Sequence, residues 1–128
     1  MAVKINDFSG THRSADFAKV ALYRDQSGLN SLWLSDDQRE FPRLNIALNN
    51  DLAVVHYFPS RRHPGFQSKN NDKERVAANV FFRLEKKGEP WLAPSQATVP
   101  AATAFFIAAQ FMKSGLISPL TLSSWTEL

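Results

Sequence analysis

Three histidines are the residues of this 128-residue chain best suited to acid–base or metal chemistry. His56 and His63 stand seven positions apart and His12 is far from both, which is not the spacing of a zinc site. The chain has no cysteine, so a thiolate ligand, a cysteine nucleophile and a disulfide are all excluded. A structural or solvated role is the simpler interpretation of each histidine.

A short acidic stretch over residues 35–40 carries Asp36, Asp37 and Glu40. Two of these carboxylates could act as a general acid and base, but such groups need a cleft that shifts their pKa, and nothing in the sequence indicates one. The stretch is therefore interpreted as a solvated loop, with an acidic recognition loop as the remaining alternative. Arg61, Arg62 and His63 are interpreted in the same way, as a solvated loop rather than an anion or partner site.

The larger motifs of catalysis and cofactor binding are missing. The 5 glycines are isolated near turns, so neither a dinucleotide fingerprint nor a P-loop can be assembled. No G-x-S-x-G segment supports a serine nucleophile. We therefore expect no cofactor and no bound metal.

The large aromatic residues are more informative than the charges. Trp33, Trp91 and Trp125, together with Tyr57, belong to the residue types that anchor protein interfaces. Burial in the core is the alternative for each of them, because large aromatic side chains also dominate cores.

Composition indicates one domain of ordinary size, with 44% hydrophobic residues. The formal net charge is +3, and the 15 basic residues are spread along the chain rather than gathered in a patch, which argues against nucleic acid as a partner. The first residues mix Lys4 and Asp7 with short apolar side chains and do not resemble a signal peptide, and no apolar run is long enough for a membrane span. We expect a cytoplasmic monomer that does not bind a membrane.

A β-hairpin is predicted at the centre of the chain. Two β-prone runs, residues 44–48 and 52–58, flank the turn-formers Asn49-Asn50-Asp51. A two-residue loop, Asn50-Asp51, would place Asn45 opposite His56, whereas a three-residue loop would reverse the faces of one strand. We favour the two-residue loop because it gathers the polar residues of both strands on one face.

The remaining pattern predicts an α+β fold, with two main helices packed on a mostly antiparallel sheet. One helix is expected over residues 14–27, capped by Ser14, and the other over residues 100–114, with Thr98 as cap, Pro100 at its first position and Gly115 at its end. Further strands are expected at residues 2–8 (an edge strand), 29–34, 66–69, 75–84 and 120–128, with turns at 70–72 and 86–89.

Several blocks in the second half of the chain resemble one known family. Trp125-Thr126-Glu127 matches the W-x-E motif of the first immunity protein family described for bacterial polymorphic toxin systems. Blocks similar to that family precede the motif in the family's order: Phe41-Pro42-Arg43-Leu44-Asn45-Ile46, Asp51-Leu52-Ala53-Val54-Val55-His56-Tyr57, Pro64-Gly65-Phe66, and Val99-Pro100 followed by Ala104, Ala108, Ala109 and Phe111. The resemblance covers residues 40–128.

The resemblance implies a single α+β domain over residues 1–128 that binds and neutralises a toxin encoded beside it, commonly a nucleic-acid deaminase. It implies no catalytic residues, and it leaves open whether Trp125 and Glu127 are structural or contact the partner. An inhibitor that mimicked nucleic acid would be acidic, whereas this chain is net positive. Either the toxin presents an acidic face or the acidic loop acts locally.

The predicted partner interface combines the acidic loop with nearby aromatic residues and the C-terminal motif. Its members are Trp33, Asp36, Asp37, Glu40, Phe41, Tyr57, Trp125 and Glu127. Two alternatives remain: a small nucleic-acid-binding module that uses the arginines and aromatic residues, and a small enzyme in which His56 meets a carboxylate in a cleft.

Overall fold

The chain has the predicted α+β fold, and its main sheet is antiparallel throughout. The structure, a computed structural model, describes residues 2–70 and 80–128. Its elements are β1 (Val3–Asp7), β2 (Gly10–Arg13), α1 (Phe17–Leu22), β3 (Leu29–Asp36), β4 (Arg43–Asn49), β5 (Leu52–Phe58), β6 (Phe66–Gln67), β7 (Phe81–Phe82), β8 (Trp91–Leu92), β9 (Val99–Pro100), α2 (Ala101–Ser114), α3 (Pro119–Leu122) and β10 (Thr126–Glu127).

The strand order of the main sheet is β10-β6-β5-β4-β3-β1-β2, and β9 pairs with the start of β5. The strands β7 and β8 form a separate antiparallel pair. The central hairpin β4–β5 has the predicted two-residue loop, because Asn49 pairs with Leu52 and Asn50 adopts a left-handed backbone with φ 51°. Asn45 lies opposite His56, which confirms the predicted register.

The helix α2 covers one face of the sheet, which we term the inner face. Short side chains on α2, among them Ala104 and Ala108, let the helix approach the strands closely, while Phe111 fills the space beside them. The prediction that this helix packs behind the hairpin is confirmed. The strand residues of the inner face are all buried: Leu44, Ile46, Leu48, Ala53, Val55 and Tyr57.

The opposite face of the sheet, the outer face, is covered at one end only. The β7–β8 pair and the segment after it place Phe82, Ala93 and Ala97 over Ala47 and Val54, and these five residues form a second buried cluster. The sheet is thus apolar on both faces at this end, which explains why β5 is apolar at nearly every position. The other end of the outer face carries several aromatic residues.

The first predicted helix is much shorter than expected. A 3-10 turn at Ser14–Asp16 leads into α1, which ends at Leu22, and the hydroxyl of Ser14 makes no capping hydrogen bond. The carboxylate of Asp25 accepts from the amides of Ser27 (2.8 Å) and Leu29 (3.0 Å) and so forms a turn where helix was predicted. Local side-chain bonds of this kind compete with helix formation.

The N-terminal strand is not an edge strand, contrary to the prediction. β1 pairs with β3 on one side and with β2 on the other, so β2 is the edge. The reversal between β1 and β2 depends on Asp7, whose Oδ1 accepts from the amides of Ser9 (2.9 Å) and Gly10 (3.1 Å) and whose Oδ2 accepts from Asn30 Nδ2 (3.0 Å). The break predicted at residues 9–11 is therefore a hairpin turn.

Asp7 also makes the stability of the fold depend on pH. Burial raises the pKa of this carboxyl group, but hydrogen bonds from Ser9, Asn30 and His12 outweigh burial and hold the pKa below its ordinary value of 3.8. Stability from the ionised group is present above that ordinary value and is lost as the pH falls through the lowered folded value.

We expect Asp7→Asn to lower the free energy of unfolding by about 1–3 kcal/mol at pH 7. The NH2 group of the asparagine would replace one carboxylate oxygen, and it cannot accept the hydrogen bonds that the oxygen accepts. The difference between variant and wild type should shrink as the pH is lowered below the ordinary carboxyl pKa. Urea unfolding at pH 7 and pH 3 measures it. An equal difference at both values would show that the ionised carboxylate is not what stabilises the turn.

Two further predictions about the ends of elements are wrong. α2 begins at Ala101, so Pro100 lies just before the helix, and no side chain caps it; the amide of Ala101 donates to the carbonyl oxygen of Asp51 (2.7 Å) instead. The end at Gly115 is confirmed, with φ 75°. Residues 120–128 are not one strand, because Ser118 caps the short helix α3 before β10 begins.

The remaining predicted elements are confirmed in shortened form or lie outside the described residues. β6 covers half of the strand predicted at 66–69, and the turn at 86–89 joins β7 to β8. Half of the strand predicted at 75–84 and two residues of the turn at 70–72 lie outside the described residues, and β7 lies in the described half of that strand. None of the helices seen in residues 2–70 and 80–128 is long and apolar enough to cross a membrane.

Candidate functional site

A surface cleft of about 670 Å³ brings four of the predicted interface residues together. It lies at the end of β3 and along the loop that leads from β3 into β4. Its walls include Trp33, Asp36, Asp37 and Glu40 from the prediction, and Lys4, Asn6, Arg39, Arg43 and Glu85 in addition. The predicted acidic loop and the predicted tryptophan therefore share one site.

The acidic loop is held in shape by its own hydrogen bonds. Asp36, which belongs to the end of β3 rather than to the loop, accepts from the amide of Gln38 (2.8 Å). The amide of Asp37 donates to the carbonyl oxygen of Ala2 (2.9 Å), and its side chain is exposed. Glu40 pairs with Arg61 Nη2 at 2.6 Å, so the loop is tied to the segment after β5.

An arginine stacked among aromatic rings forms one wall of the cleft. The guanidinium carbon of Arg43 lies 4.6 Å from the ring centre of Trp33, 5.1 Å from that of Phe41 and 5.5 Å from that of Phe58. Trp33 and Phe58 also stack on each other, with their centres 6.1 Å apart. Phe41 in turn lies 5.5 Å from the guanidinium of Arg61. A cation over an aromatic face is attracted by the ring quadrupole, so these contacts hold the Arg43 side chain in one position on the wall.

Arg43 and Phe58 are the residues that the sequence reasoning missed. Phe58 was assigned only to a strand, and Arg43 was named only in a block of the family resemblance. The strand register carries the signal that was missed, because Arg43 pairs with Phe58 and Ser35, two positions from the pair of Trp33 and Asn45. Residues that pair across adjacent strands lie on the same face. The pairing of β3 with β4 therefore places Arg43 on the same face as the predicted tryptophan, two positions along the strands.

Tyr57 is misplaced in the predicted interface. Only 3% of its surface is exposed, and its ring faces the core, 6.4 Å from the ring centres of both Phe66 and Phe111. Burial raises the pKa of its hydroxyl group, against a smaller opposite effect of a backbone hydrogen bond involving Ile117. The register explains the error, because Tyr57 alternates with Phe58, and it is Phe58 that lies on the outer face against Trp33 and Arg43.

The C-terminal motif anchors the end of the chain to the sheet. Trp125 is half-buried against the inner core, and Glu127 lies in β10, which pairs with β6. Glu127 Oε2 lies 2.7 Å from His63 Nε2, while His63 Nδ1 accepts from the amide of Gly65 (2.9 Å), so Nε2 carries the proton and donates to the carboxylate. Neither motif residue lines the cleft beside Trp33.

His56 lies on the outer face, in a small apolar recess. Its ring centre is 6.1 Å from that of Phe58 and 5.7 Å from that of Trp91, and Nε2 lies 3.3 Å from Gln67 Oε1. Burial lowers the pKa of the ring below 6.5, and the contact with Gln67 offsets this only in part, so the ring is neutral at pH 7. Within the part of the chain that the structure describes, no Asp or Glu side chain lines this recess.

Ser9, His12 and Asp7 lie together on the β1–β2 turn, but not in the geometry of a catalytic triad. His12 Nε2 is 3.0 Å from both Ser9 Oγ and Asp7 Oδ1. A triad needs the serine and the carboxylate on different ring nitrogens, so that one orients the imidazole while the other gives up its proton. Over residues 2–70 and 80–128, no group of three or more His, Asp or Glu residues is placed to hold a metal ion.

Two comparisons with known proteins do not assign the chain to a family. A scan against models of protein families and a search of curated proteins both find no match.

Proposed function

We propose that this chain is an immunity protein of a bacterial polymorphic toxin system. It binds the toxin encoded beside it, a nucleic-acid deaminase, and occludes the toxin's active site without catalysing a reaction of its own. The proposal puts the protein in the cytoplasm, where the toxin would act. Its basis in the sequence is the ordered set of blocks that ends in Trp125-Thr126-Glu127.

The observation that carries the proposal is the shared cleft. Trp33, Asp36, Asp37 and Glu40 line one open surface, and Phe41 packs against Arg43 at its rim. Tryptophan and arginine are enriched among the residues that contribute most to protein association, particularly where they are held in a fixed position. The surface thus has the composition of a binding site for a protein.

The carboxylates of this cleft have structural partners that suit recognition better than catalysis. Glu40 pairs with Arg61, and Asp36 accepts from the amide of Gln38, so both shape the loop. His56 has no Asp or Glu in its described recess, and Asp7 meets the same nitrogen of His12 as Ser9 does. An enzyme of the alternative class would need a histidine base that a carboxylate orients from the other ring nitrogen. A rigid, charged loop beside an aromatic wall serves to orient a partner.

Local charge supports a toxin that acts on nucleic acid. An enzyme of that kind lines its substrate path with lysine and arginine, since the phosphate backbone dominates affinity. Although the chain is net positive, the described lining of the cleft has one more carboxylate than it has lysine and arginine side chains. Its acidic loop would meet the toxin's cationic substrate path and block access to it.

Neutralising the acidic loop should slow association with the toxin domain encoded by the adjacent gene. For Asp36→Asn, Asp37→Asn and Glu40→Gln combined, we expect the association rate constant at low salt to fall by about tenfold, with less effect on dissociation. Surface plasmon resonance at low and at high NaCl concentration measures both rate constants.

The matched control changes the same net charge at exposed positions that do not line the cleft, with Asp16→Asn, Asp51→Asn and Glu89→Gln. Its association rate should stay within about twofold of wild type. Equal slowing by both triple variants would mean that only net charge matters. Steeply salt-dependent binding of the wild type to single-stranded DNA or RNA would instead favour the nucleic-acid-binding alternative.

A further inference from the structure

Arg43 is a cation with unused hydrogen-bond donors. Its side chain donates no hydrogen bond to any residue in 2–70 or 80–128, and no carboxylate oxygen of those residues lies within 4 Å of it. Its Nε is fully shielded from solvent and still has no partner among those residues. A guanidinium offers five N–H donors, and buried donors without partners cost free energy. The arrangement is therefore incomplete in the free protein.

The aromatic rings fix the direction in which the free donors point. Trp33, Phe41 and Phe58 lie against the guanidinium at 4.6–5.5 Å, and Arg43 lines the cleft, so a ligand would reach the group from the cleft. Ring contact also reduces the rotamer freedom that a long side chain would lose on binding. Packing on apolar rings excludes water and strengthens any charge that pairs with the group.

We propose that Arg43 binds a carboxylate of the partner protein, an aspartate or glutamate side chain that enters the cleft beside Trp33. The inference rests on the proposed function for the identity of the partner. It adds a specific contact in which this protein supplies the positive charge, whereas the acidic loop supplies negative charge. The fork of guanidinium donors matches the two oxygens of a carboxylate, which gives two parallel, charge-assisted hydrogen bonds.

The surroundings favour a carboxylate over a phosphate. Apart from Arg43, the described lining of the cleft has the carboxylates of Asp36, Asp37, Glu40 and Glu85 against the cations Lys4 and Arg39, so its net charge opposes an anion. A carboxylate carries one negative charge, whereas a phosphate monoester carries about 1.5 to 2, so the opposition is larger for the phosphate. A single carboxylate on a partner whose surface is otherwise basic satisfies both the arginine and the acidic loop.

The first test uses the free protein and needs no toxin. The side-chain Nε–Hε signal of Arg43, assigned with the Arg43→Gln variant, is followed by NMR during titration with triglutamate, triglutamine or inorganic phosphate, where both peptides are acetylated and amidated so that only the glutamate side chains supply carboxylates. We expect a saturable shift with triglutamate, none with triglutamine and a weaker response to phosphate. No shift with triglutamate, or saturation by phosphate at lower concentration, would overturn the proposed carboxylate site.

The second test uses the toxin domain from the adjacent gene. Arg43→Lys keeps the charge but loses the planar fork, and we expect toxin affinity to fall by about tenfold or more. The control is Arg13→Lys on the exposed edge strand β2, which should change affinity by less than about twofold. Thermal unfolding of both variants shows whether the fold is intact, and Arg43→Gln provides a second variant if Arg43→Lys is unstable.

The two proposals fail in different ways. Wild type that does not bind the toxin, with an Arg43 signal that still responds to triglutamate, would contradict the immunity function and support the carboxylate site. Toxin binding that is equal for wild type, Arg43→Lys and Arg43→Gln would overturn the site and leave the function in place.

Discussion

Phe111→Ala is expected to lower the free energy of unfolding by about 3–5 kcal/mol, because it removes the largest side chain that α2 buries in the inner core. Phe111 is fully buried, and its ring meets that of Tyr57 edge to face, with centres 6.4 Å apart. Truncation would leave a cavity between the helix and the inner face of the sheet, which the close-packed alanines around it cannot fill. Equilibrium urea unfolding followed by circular dichroism measures the change.

Phe106 is the matched control on the same helix, because 67% of its surface is exposed. Phe106→Ala should change the free energy of unfolding by less than about 0.5 kcal/mol. If both substitutions destabilised the protein equally, or if Phe111→Ala were neutral, α2 would not be packed against the inner face of the sheet.

Ser68→Ala is expected to lower the free energy of unfolding by about 2–5 kcal/mol, from two buried groups that lose their partners. The hydroxyl of Ser68 accepts from the amide of Val55 (2.9 Å) and donates to the carbonyl oxygen of Ala97 (2.7 Å). Only 2% of Ser68 is exposed, so water cannot replace the hydroxyl group at either bond. Urea unfolding reports the loss, and amide hydrogen exchange at Val55 locates it.

The control is Ser124→Ala, which removes an exposed hydroxyl bonded to the carbonyl oxygen of Thr121. It should cost less than about 0.5 kcal/mol, since water can satisfy the carbonyl. Unchanged protection of the Val55 amide in Ser68→Ala would contradict the role assigned to the serine.

The central hairpin and α2 were predictable because their signals are local. Alternating side chains and two turn residues fix the register of β4 and β5, and a run of alanines that ends at Gly115 marks the helix. The fold class follows from these two elements, since a helix with one apolar face and a hairpin with one apolar face bury each other.

The elements that were wrong depend on contacts between distant parts of the chain. Asp25 forms a turn that also receives Arg83, 58 residues away, and that contact cannot be read from the helical pattern around residues 14–27. Likewise β1 becomes an interior strand only because Asp7 holds the turn into β2 through donors that include Asn30. Propensity is a weak predictor where such contacts compete with it.

The candidate site was predictable in part for the same reason. Trp33 and the acidic loop adjoin in sequence, so their common location at the end of β3 follows from the strand alone. Arg43 joins them only through the pairing of β3 with β4, and Phe58 only through that of β4 with β5. Tyr57 was chosen by residue type, and a shift of one position along β5 separates the core from the cleft.

The residues of the inner core and those of the proposed binding site are largely different. The inner core stabilises the fold; of the motif residues, Trp125 packs on this core and Glu127 contacts His63 at the surface. The charged side chains of the cleft lie outside that core. This separation allows binding and folding to be measured independently in the cleft and core variants.

The most direct test of the proposed immunity function is inhibition of the adjacent gene's toxin domain by this protein. The purified domain is assayed for deamination of DNA and RNA while the protein is added in rising amounts. We expect loss of activity at one equivalent, with a dissociation constant in the nanomolar range or below, which a specific interface of ordinary size can reach. Full deaminase activity at a large excess of the protein, with no complex by size-exclusion chromatography, would contradict the proposal.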